Sequence, residues 1–524
     1  MHEPANSLKT LWDRNSTWYG REDALIMGDQ RRTHASLVTR ARCLGSALYK
    51  LGVRSQDRVS ILSMNSMEYV EVYTANEIAG FITSTVNFRL APPEIGFILR
   101  DASPKVILFE SQYAATVDGL RDQLPDVRQF VCLDGEPPPW AVRYEELLAS
   151  GEPEGAPTAP PEPGAIAALI YTSGTTGRPK GCMLSHDMLL RCAESVGEHL
   201  VMSASTRVLL MMPFFHIGAK AVYMAQHRQG GQVFIHRSYD IERILRDIEK
   251  ERITHLHFAP VMLQGLIEHP DVHRYDLTSL ESIYYSAAPM SQPVLKKGLD
   301  LFGPIFVQGW GQTECSGTVL PPQDHRLSDD PLQVRRLRSI GHPAFGMQMR
   351  LVDDEDRDVP LGQPGELLVR GRCVMSGYWN NSAATIEAMR GGWMHTGDVC
   401  TQDEDGYLYL ADRKKDIIIT GGENVHSREV EEAVVSHPAV QECAVIGVAH
   451  AKWGEAVCVV VQVAPNAQVT AQELVAHCRE RIAGYKRPRF VVLVPELPRL
   501  PSGKISKVDL RKRYGQGDGL VEVA

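Results

Sequence analysis

One short segment, Tyr171-Thr-Ser-Gly-Thr-Thr-Gly-Arg-Pro-Lys-Gly181, gathers three glycines and four hydroxyl side chains around a single lysine. Glycine lets backbone N–H groups approach an anion closely, hydroxyls add donors, and an ammonium adds charge. Thr172, Ser173, Gly174, Thr175, Thr176, Gly177 and Lys180 therefore suit a polyphosphate. The segment is not a Walker A loop. The glycine spacing before Lys180 differs, and Gly181 stands where that loop needs Ser or Thr. Gly503-Lys504-Ile505 fails the same test. A polar turn is what such a cluster usually forms, so the chemistry rests on partner segments further down the chain.

Those segments are Ser286-Ala-Ala-Pro-Met290, Gly309-Trp-Gly-Gln-Thr-Glu314, Thr396-Gly-Asp398, Arg413 and Pro498-Arg-Leu-Pro-Ser-Gly-Lys504. In this order, after the Gly/Thr loop, they resemble the signature segments of the adenylate-forming superfamily. That family holds acyl- and aryl-CoA ligases, peptide-synthetase adenylation domains and luciferases. The match spans roughly Thr33 to Arg513. Trp310 stands where tyrosine is usual, and His426-Ser-Arg where a proline is usual.

The resemblance implies ATP and Mg²⁺ as cofactors. The loop holds the phosphates, and Ser286, Ala287, Ala288 and Pro289 lie against adenine, where small side chains let a flat ring approach. Gly309, Trp310, Gly311, Gln312 and Thr313 complete the nucleotide site. Glu314, with Thr172, holds the magnesium; one carboxylate plus nucleotide oxygens is a sensible shell for that cation. Asp398 takes the ribose, since a carboxylate accepts from both hydroxyls, and Arg413 reaches ribose and phosphate. Lys504 is the expected catalytic residue, bridging substrate carboxylate and α-phosphate as charge builds. Thr172, His216 and Glu314 complete the catalytic set.

An acyl-AMP formed this way passes to a second acceptor. No Asp-Ser pantetheinylation segment follows Lys504, so coenzyme A is expected; loading of a carrier protein is the alternative. Gly421, Gly422 and Glu423 resemble the loop that passes the pantetheine arm. Trp453, Tyr485 and Arg487 match positions that hold the CoA nucleotide by stacking and phosphate pairing. Lys415 falls at the family's hinge. For the acid, Phe214-Phe-His-Ile-Gly218 resembles the segment whose histidine gates the acyl tunnel. His216, Ile217, Phe258, Gly309, Gly311, Ser316 and Gly317 are expected to line the pocket. The small residues among them suggest a roomy, apolar cavity, with Lys220 either meeting a second carboxylate or facing solvent. Medium-chain fatty, aryl and alicyclic acids all fit this expectation.

The elements that must position these residues are legible from periodicity. Leu37, Ala41, Leu44, Leu48 and Leu51 recur at steps of three and four, which predicts a helix ended by Gly52. Short apolar runs beginning at Arg58, Lys105, Phe130, Ala167 and Arg207 read as buried strands, with helical patterns between several of them. This is an α/β pattern with largely parallel sheets. The Pro/Gly-dense stretch Gly151 to Gly164 reads as a surface linker. The charged cluster 412–416 precedes a stretch reading strand, helix, strand, strand, helix, strand. The expected architecture is a large domain, 1–414, of α/β and distorted β-barrel subdomains, and a small mobile α+β domain, 415–524, with the active site between them.

A length of 524 residues at net charge -9 fits an enzyme with large cores. A pI near 6.1 without a basic block excludes nucleic acid as the main partner. The ten cysteines are scattered with no CxxC, as in reduced thiols of a cytoplasmic protein. The N-terminus lacks the pattern of a signal peptide. The most apolar stretch, Val208 to Ala225, is broken by Pro213, His216 and Lys220, which predicts no membrane span. The family resemblance also allows a homodimer.

Overall fold

The computed structural model describes residues 7–172, 179–286, 290, 292–413, 416–420, 423–450, 452–479, 481–500, 503–517 and 519–523. Compactness divides the chain into two units, Met1–Met349 with Val369–His395 and Arg350–Leu368 with Thr396–Ala524. The sequence-based boundary at Lys415 lies further along the chain, on a residue outside those described.

In the first unit, the helix His34–Lys50 forms where the leucine stripe predicts it. Thr33 caps it, accepting from the Ser36 amide at 3.2 Å. Leu37, Leu44 and Leu48 are fully buried, and such a leucine contributes about 1.5–3 kcal/mol. The Pro/Gly-dense stretch begins docked on this helix, with the Glu152 amide donating to Ser46 Oγ at 3.3 Å.

All five predicted apolar runs form strands. Among the described residues, one seven-stranded sheet runs Val142–Arg143, Gln129–Cys132, Val106–Phe109, Arg58–Leu62, Ile82–Thr85, Ile166–Thr172, Lys180–Ser185. It is parallel except at its last pair. The second sheet has nine strands, in the order His342–Pro343, Ser316–Leu320, Phe306–Gly311, Ser282–Tyr285, His255–Phe258, Arg207–Leu210, Gln232–Ile235, Asp23–Met27, Gln30–Thr33. Its central strands are parallel and its edges antiparallel. One face carries a core of Leu256, Phe258, Ile283, Tyr285 and Phe306 against Ile244 and Leu263. Parallel strands need both faces covered, and this is why they read as continuous apolar runs.

In the second unit, Asp398 to Gln402 of the strand Met394–Gln402 pair antiparallel with Leu408–Arg413. A further sheet orders Glu423–Val425, Ile418–Thr420, Gly454–Val463 and Val440–His450, and Phe490–Val494 joins Gly454–Val463 in parallel. The long central hairpin is apolar on both sides. Val445, Val457 and Val459 face one core, while Ile446, Val448 and Val460 face another with Leu510 of the helix Lys507–Tyr514. The fold is therefore mixed α/β with a smaller α+β unit. No helix among the described residues is long and apolar enough to cross a membrane. The stretch from Val208 to Ala225 splits into the strand Arg207–Leu210 and the helix Ile217–Gln229.

Candidate active site

The Gly/Thr loop connects two antiparallel strands whose register sets Thr172 opposite Lys180. Ser173, Gly174, Thr175, Thr176 and Gly177 lie outside the described residues, but the loop's two ends are pinned. Tyr171 donates to Asp101 Oδ2 at 2.7 Å. Gly181 has no Cβ because one would sit 3.0 Å from the Tyr171 ring. The segment Gly377 to Trp379 is laid along the second strand, with the Met183 amide donating to Gly377 O at 2.9 Å and the Trp379 amide to Gly181 O at 2.7 Å.

That segment delivers Tyr378, a residue that motif reading did not select. Lys180 Nζ lies 4.8 Å above the Tyr378 ring, and the Tyr378 hydroxyl donates to Glu314 Oε1 at 2.9 Å. Glu314 and Thr313 occupy the centre of a tight turn in which the Gln312 amide donates to Cys315 O at 2.8 Å. Burial and the Glu314 charge raise the Tyr378 hydroxyl far above its ordinary range and push the Cys182 thiol up. Both stay protonated, so both present hydrogens to the carboxylate. One ring thus holds the predicted phosphate lysine and the predicted metal carboxylate together. The signal available in the sequence was Gly377-Tyr-Trp-Asn380, adjacent aromatics in a stretch without periodicity.

The donor set fits magnesium. Among the described residues no three His, Cys, Asp or Glu side chains gather as a metal cage. The ion would depend on Glu314, with Thr172, and on the nucleotide's own oxygens, the arrangement in which this cation is usually held.

Four of the parallel strands of the nine-stranded sheet end at Leu210, Phe258, Tyr285 and Gly311, and ligands of open α/β sheets bind beyond such carboxyl ends. His216 follows the first of these strands as the N-cap residue of the helix Ile217–Gln229. Its ring centroid lies 4.3 Å from that of Phe215. Ser286 follows the third strand, while Ala287, Ala288 and Pro289 lie outside the described residues. Gly311 pairs with Ser316 across the antiparallel edge.

Three sequence expectations are corrected here. Phe258 does not line the pocket: it is fully buried in the core on one sheet face. Its neighbour His257 faces the other way, its Cε1 3.3 Å from where a Cβ on Gly218 would sit. Strand alternation makes the choice between neighbours a choice of face. Lys220 meets neither substrate nor solvent. It is fully buried, paired with Glu77 and Tyr223, and its ammonium lies 3.8 Å from the Tyr73 ring centroid. The glycines do not leave a roomy cavity either. A Cβ on Gly309 would sit 2.0 Å from the Tyr284 hydroxyl, and one on Gly317 would sit 2.2 Å from the Trp310 ring. Glycine is present there because aromatic rings occupy the space.

In the second unit, Asp398 is directly opposite Arg413 in the antiparallel register. Asp398 is buried, and its amide donates to Thr396 Oγ1 at 3.1 Å. Lys504 is exposed on a turn closed by the Leu500 amide to Lys504 O at 2.7 Å and the Gly503 amide to Leu500 O at 2.8 Å. Gly503 takes φ +85°, which a side chain would strain. Lys415, Gly421 and Gly422 lie outside the described residues, and Glu423 pairs with Thr420. Trp453 lies between two cations, Lys452 Nζ at 4.8 Å and the Arg489 guanidinium at 4.9 Å. Tyr485 is exposed, and Arg487 donates to Arg479 O at 3.4 Å. The guanidinium that the fold sets on Trp453 is therefore that of Arg489, a residue the motif reading passed over.

The family model described as AMP-binding enzyme matches residues 12–379, and the AMP-binding enzyme C-terminal domain matches residues 429–504. A feruloyl-CoA synthase of an Amycolatopsis species is 36% identical over 94% of this chain and 96% of its own length. The medium/long-chain-fatty-acid–CoA ligase FadD8 of Mycobacterium tuberculosis is 32% identical over 94% of this chain and 88% of its own. Among solved structures, the anthranilate CoA ligase AuaEII with anthranoyl-AMP superposes with TM-score 0.88 at 26% identity, covering 98% of each chain. The amide bond synthetase McbA of Marinactinospora thermotolerans gives TM-score 0.87 at 30% identity, covering 97% of this chain and 99% of its own. With Lys180 and Glu314 joined through Tyr378, and both family models matched in order, the chain belongs to the AMP-binding enzyme family of adenylate-forming enzymes.

Proposed function

We propose that this protein is an ATP-dependent, AMP-forming carboxylate–CoA ligase acting on a medium-chain fatty, aryl or alicyclic acid. The observation that carries the reading is the Lys180–Tyr378–Glu314 cluster beside the Gly/Thr loop, which sets a cation and a carboxylate where a polyphosphate and its metal need them. Relatives at 32–36% identity along almost the whole chain are CoA ligases.

In the first half-reaction a carboxylate oxygen of the acid attacks the α-phosphorus, the bond to the β-phosphate oxygen breaks, and pyrophosphate leaves. Lys504 neutralises charge as the pentavalent centre forms, and Lys180 and the loop hold the phosphates. Glu314 with Thr172 would hold a magnesium ion, which would offset the phosphate charge. Asp398 and Arg413 hold the ribose, and the segments of Ser286 and Trp310 take the adenine. In the second half-reaction the CoA sulfur attacks the acyl carbonyl carbon and AMP leaves. No protein nucleophile is required, because the chain contributes positioning and charge. Gly421, Gly422 and Glu423 pass the pantetheine arm; Trp453, Tyr485 and Arg487 hold the CoA nucleotide; and Lys415 is the hinge between the two half-reactions. The small mobile domain runs from Lys415 to the end of the chain. The reading also has the enzyme cytoplasmic and allows a homodimer, which light scattering tests.

The test is pyrophosphate release with ATP and Mg²⁺ against a panel of acids, each run with and without CoA. Turnover that needs both an acid and CoA is the expected result. Acid-dependent release indifferent to CoA would assign another acceptor, an amine or a carrier protein, and overturn the second half-reaction.

A further inference from the structure

Two adjacent tyrosines on one strand have opposite fates. Tyr285 is fully buried in the core and its hydroxyl lies 2.9 Å from His325 Nε2. Tyr284, on the other face, is only partly buried, and its hydroxyl covers Gly309. Its ring centroid lies 4.8 Å from that of His257, and His257 Nε2 sits 2.9 Å from Ser286 Oγ. His257 in turn closes on Gly218. The two rings therefore span the gap between Gly218, beside the expected acyl-gating histidine, and Gly309, an expected pocket residue. Tyr284 also lines a cavity of about 20 Å³, together with Trp310, Ser316 and Thr318 of the neighbouring strands and Ser195 and His199 of the helix His186–His199. Its volume is that of about one water molecule.

We infer that Tyr284 is the end wall of the acyl pocket, held in place by His257, itself fixed by Ser286, and that it restricts this enzyme to compact acids of aryl size by shutting off the cavity it lines. The inference deepens the acid–CoA ligase reading and rests on it. A glycine facing an aromatic hydroxyl is a matched pair: the strand carries no side chain at Gly309 so that the Tyr284 ring can cross it. A tyrosine needed only for packing would be buried like Tyr285. The positioning role of His257 follows from its geometry, since its ring stacks on Tyr284 while its Nε2 is fixed by Ser286.

The experiment is pyrophosphate release by wild type, Tyr284→Ala, Tyr284→Leu and Tyr284→Phe on a series of straight-chain acids and on substituted benzoic and cinnamic acids. The wild type should favour the aryl acids. Tyr284→Ala should move the optimum of kcat/KM to acids several methylenes longer, with a gain of roughly tenfold or more on the longest, since one methylene in an apolar pocket is worth about that much. Tyr284→Phe keeps the ring and should keep the wild-type profile. Tyr284→Leu preserves apolar packing and should show the same shift in smaller degree, so the inference stays testable if the alanine variant folds poorly. An even loss across all acids in the Ala and Leu variants, at an unchanged melting temperature, overturns the end wall while leaving the ligase reading intact. Absence of acid-dependent release from the wild type overturns both.

Discussion

Two lysines in different regions of the molecule show how differently this chain uses charge. Lys220 is fully buried in the first unit, paired with Glu77, whose other oxygen accepts from Trp12 Nε1 at 2.7 Å. Lys504 is exposed on a glycine-closed turn of the second unit. A charge taken out of water must be matched where it lies, so Lys220 is committed to its partners and has nothing left for chemistry. Lys504 instead lies at the solvent-exposed surface of its unit, on a backbone turn fixed by Gly503. Histidines held below their ordinary range by burial, among them His34, His186, His227, His257 and His325, lie in the first unit.

Acid should make the largest difference between the two units. Burial holds His34, His186 and His325 at about 4 and His257 at about 3, against an ordinary 6.5. As pH falls, the unfolded chain takes up these protons first. The stabilisation is therefore complete above the ordinary value and is lost as pH drops toward the folded values. Each histidine should remove about 1.4 kcal/mol per pH unit in that window. Calorimetry at about pH 7.5 and about pH 5 should show the first unit's transition falling steeply. An equal shift of all transitions would erase the contrast.

Next in size, Lys220→Met should cost about 3–5 kcal/mol, because it strands the Glu77 charge in the core. Adding Glu77→Gln keeps an acceptor for Trp12, removes the charge, and should recover most of that loss in chemical denaturation. A double variant no better than the single would mean that packing, and not charge, sets the cost. Lys504→Ala should do the reverse, leaving stability within about 0.5 kcal/mol while slowing adenylation about 10²–10³-fold. Thioester formation from supplied acyl-AMP should survive, and equal loss of both half-reactions would contradict the role assigned to this lysine. The smallest effect should come from Tyr378→Phe, about 10–100-fold, expressed as a higher magnesium requirement with kcat at saturating metal largely kept. An unchanged magnesium dependence would reduce Tyr378 to packing.

Much of the fold was legible in the residues alone. The stripe of Leu37, Leu44 and Leu48 predicts the helix His34–Lys50 to within a residue or two, because a repeat of three and four puts every apolar side chain on one face. The buried strands are equally plain, since parallel sheets covered on both sides demand unbroken apolar runs. The opposition of Asp398 and Arg413 across a ladder was not legible, although both were selected by motif. Neither was Tyr378, whose role depends on a segment that returns to the strand Lys180–Ser185 from far along the chain.

By itself, then, the sequence determined which residue types are present to do chemistry, the order of the family's motifs, and the local elements that carry them, because periodicity, capping and loop composition are properties of near neighbours. Only the tertiary structure decided which side chains meet. It turned Phe258 into the core and His257 out of it, committed Lys220 to Glu77, and filled the space over Gly309 with Tyr284. The face of a strand, the partner of a buried charge and the occupant of a glycine's empty side are set by residues distant in the chain, and close packing leaves each of them a single answer.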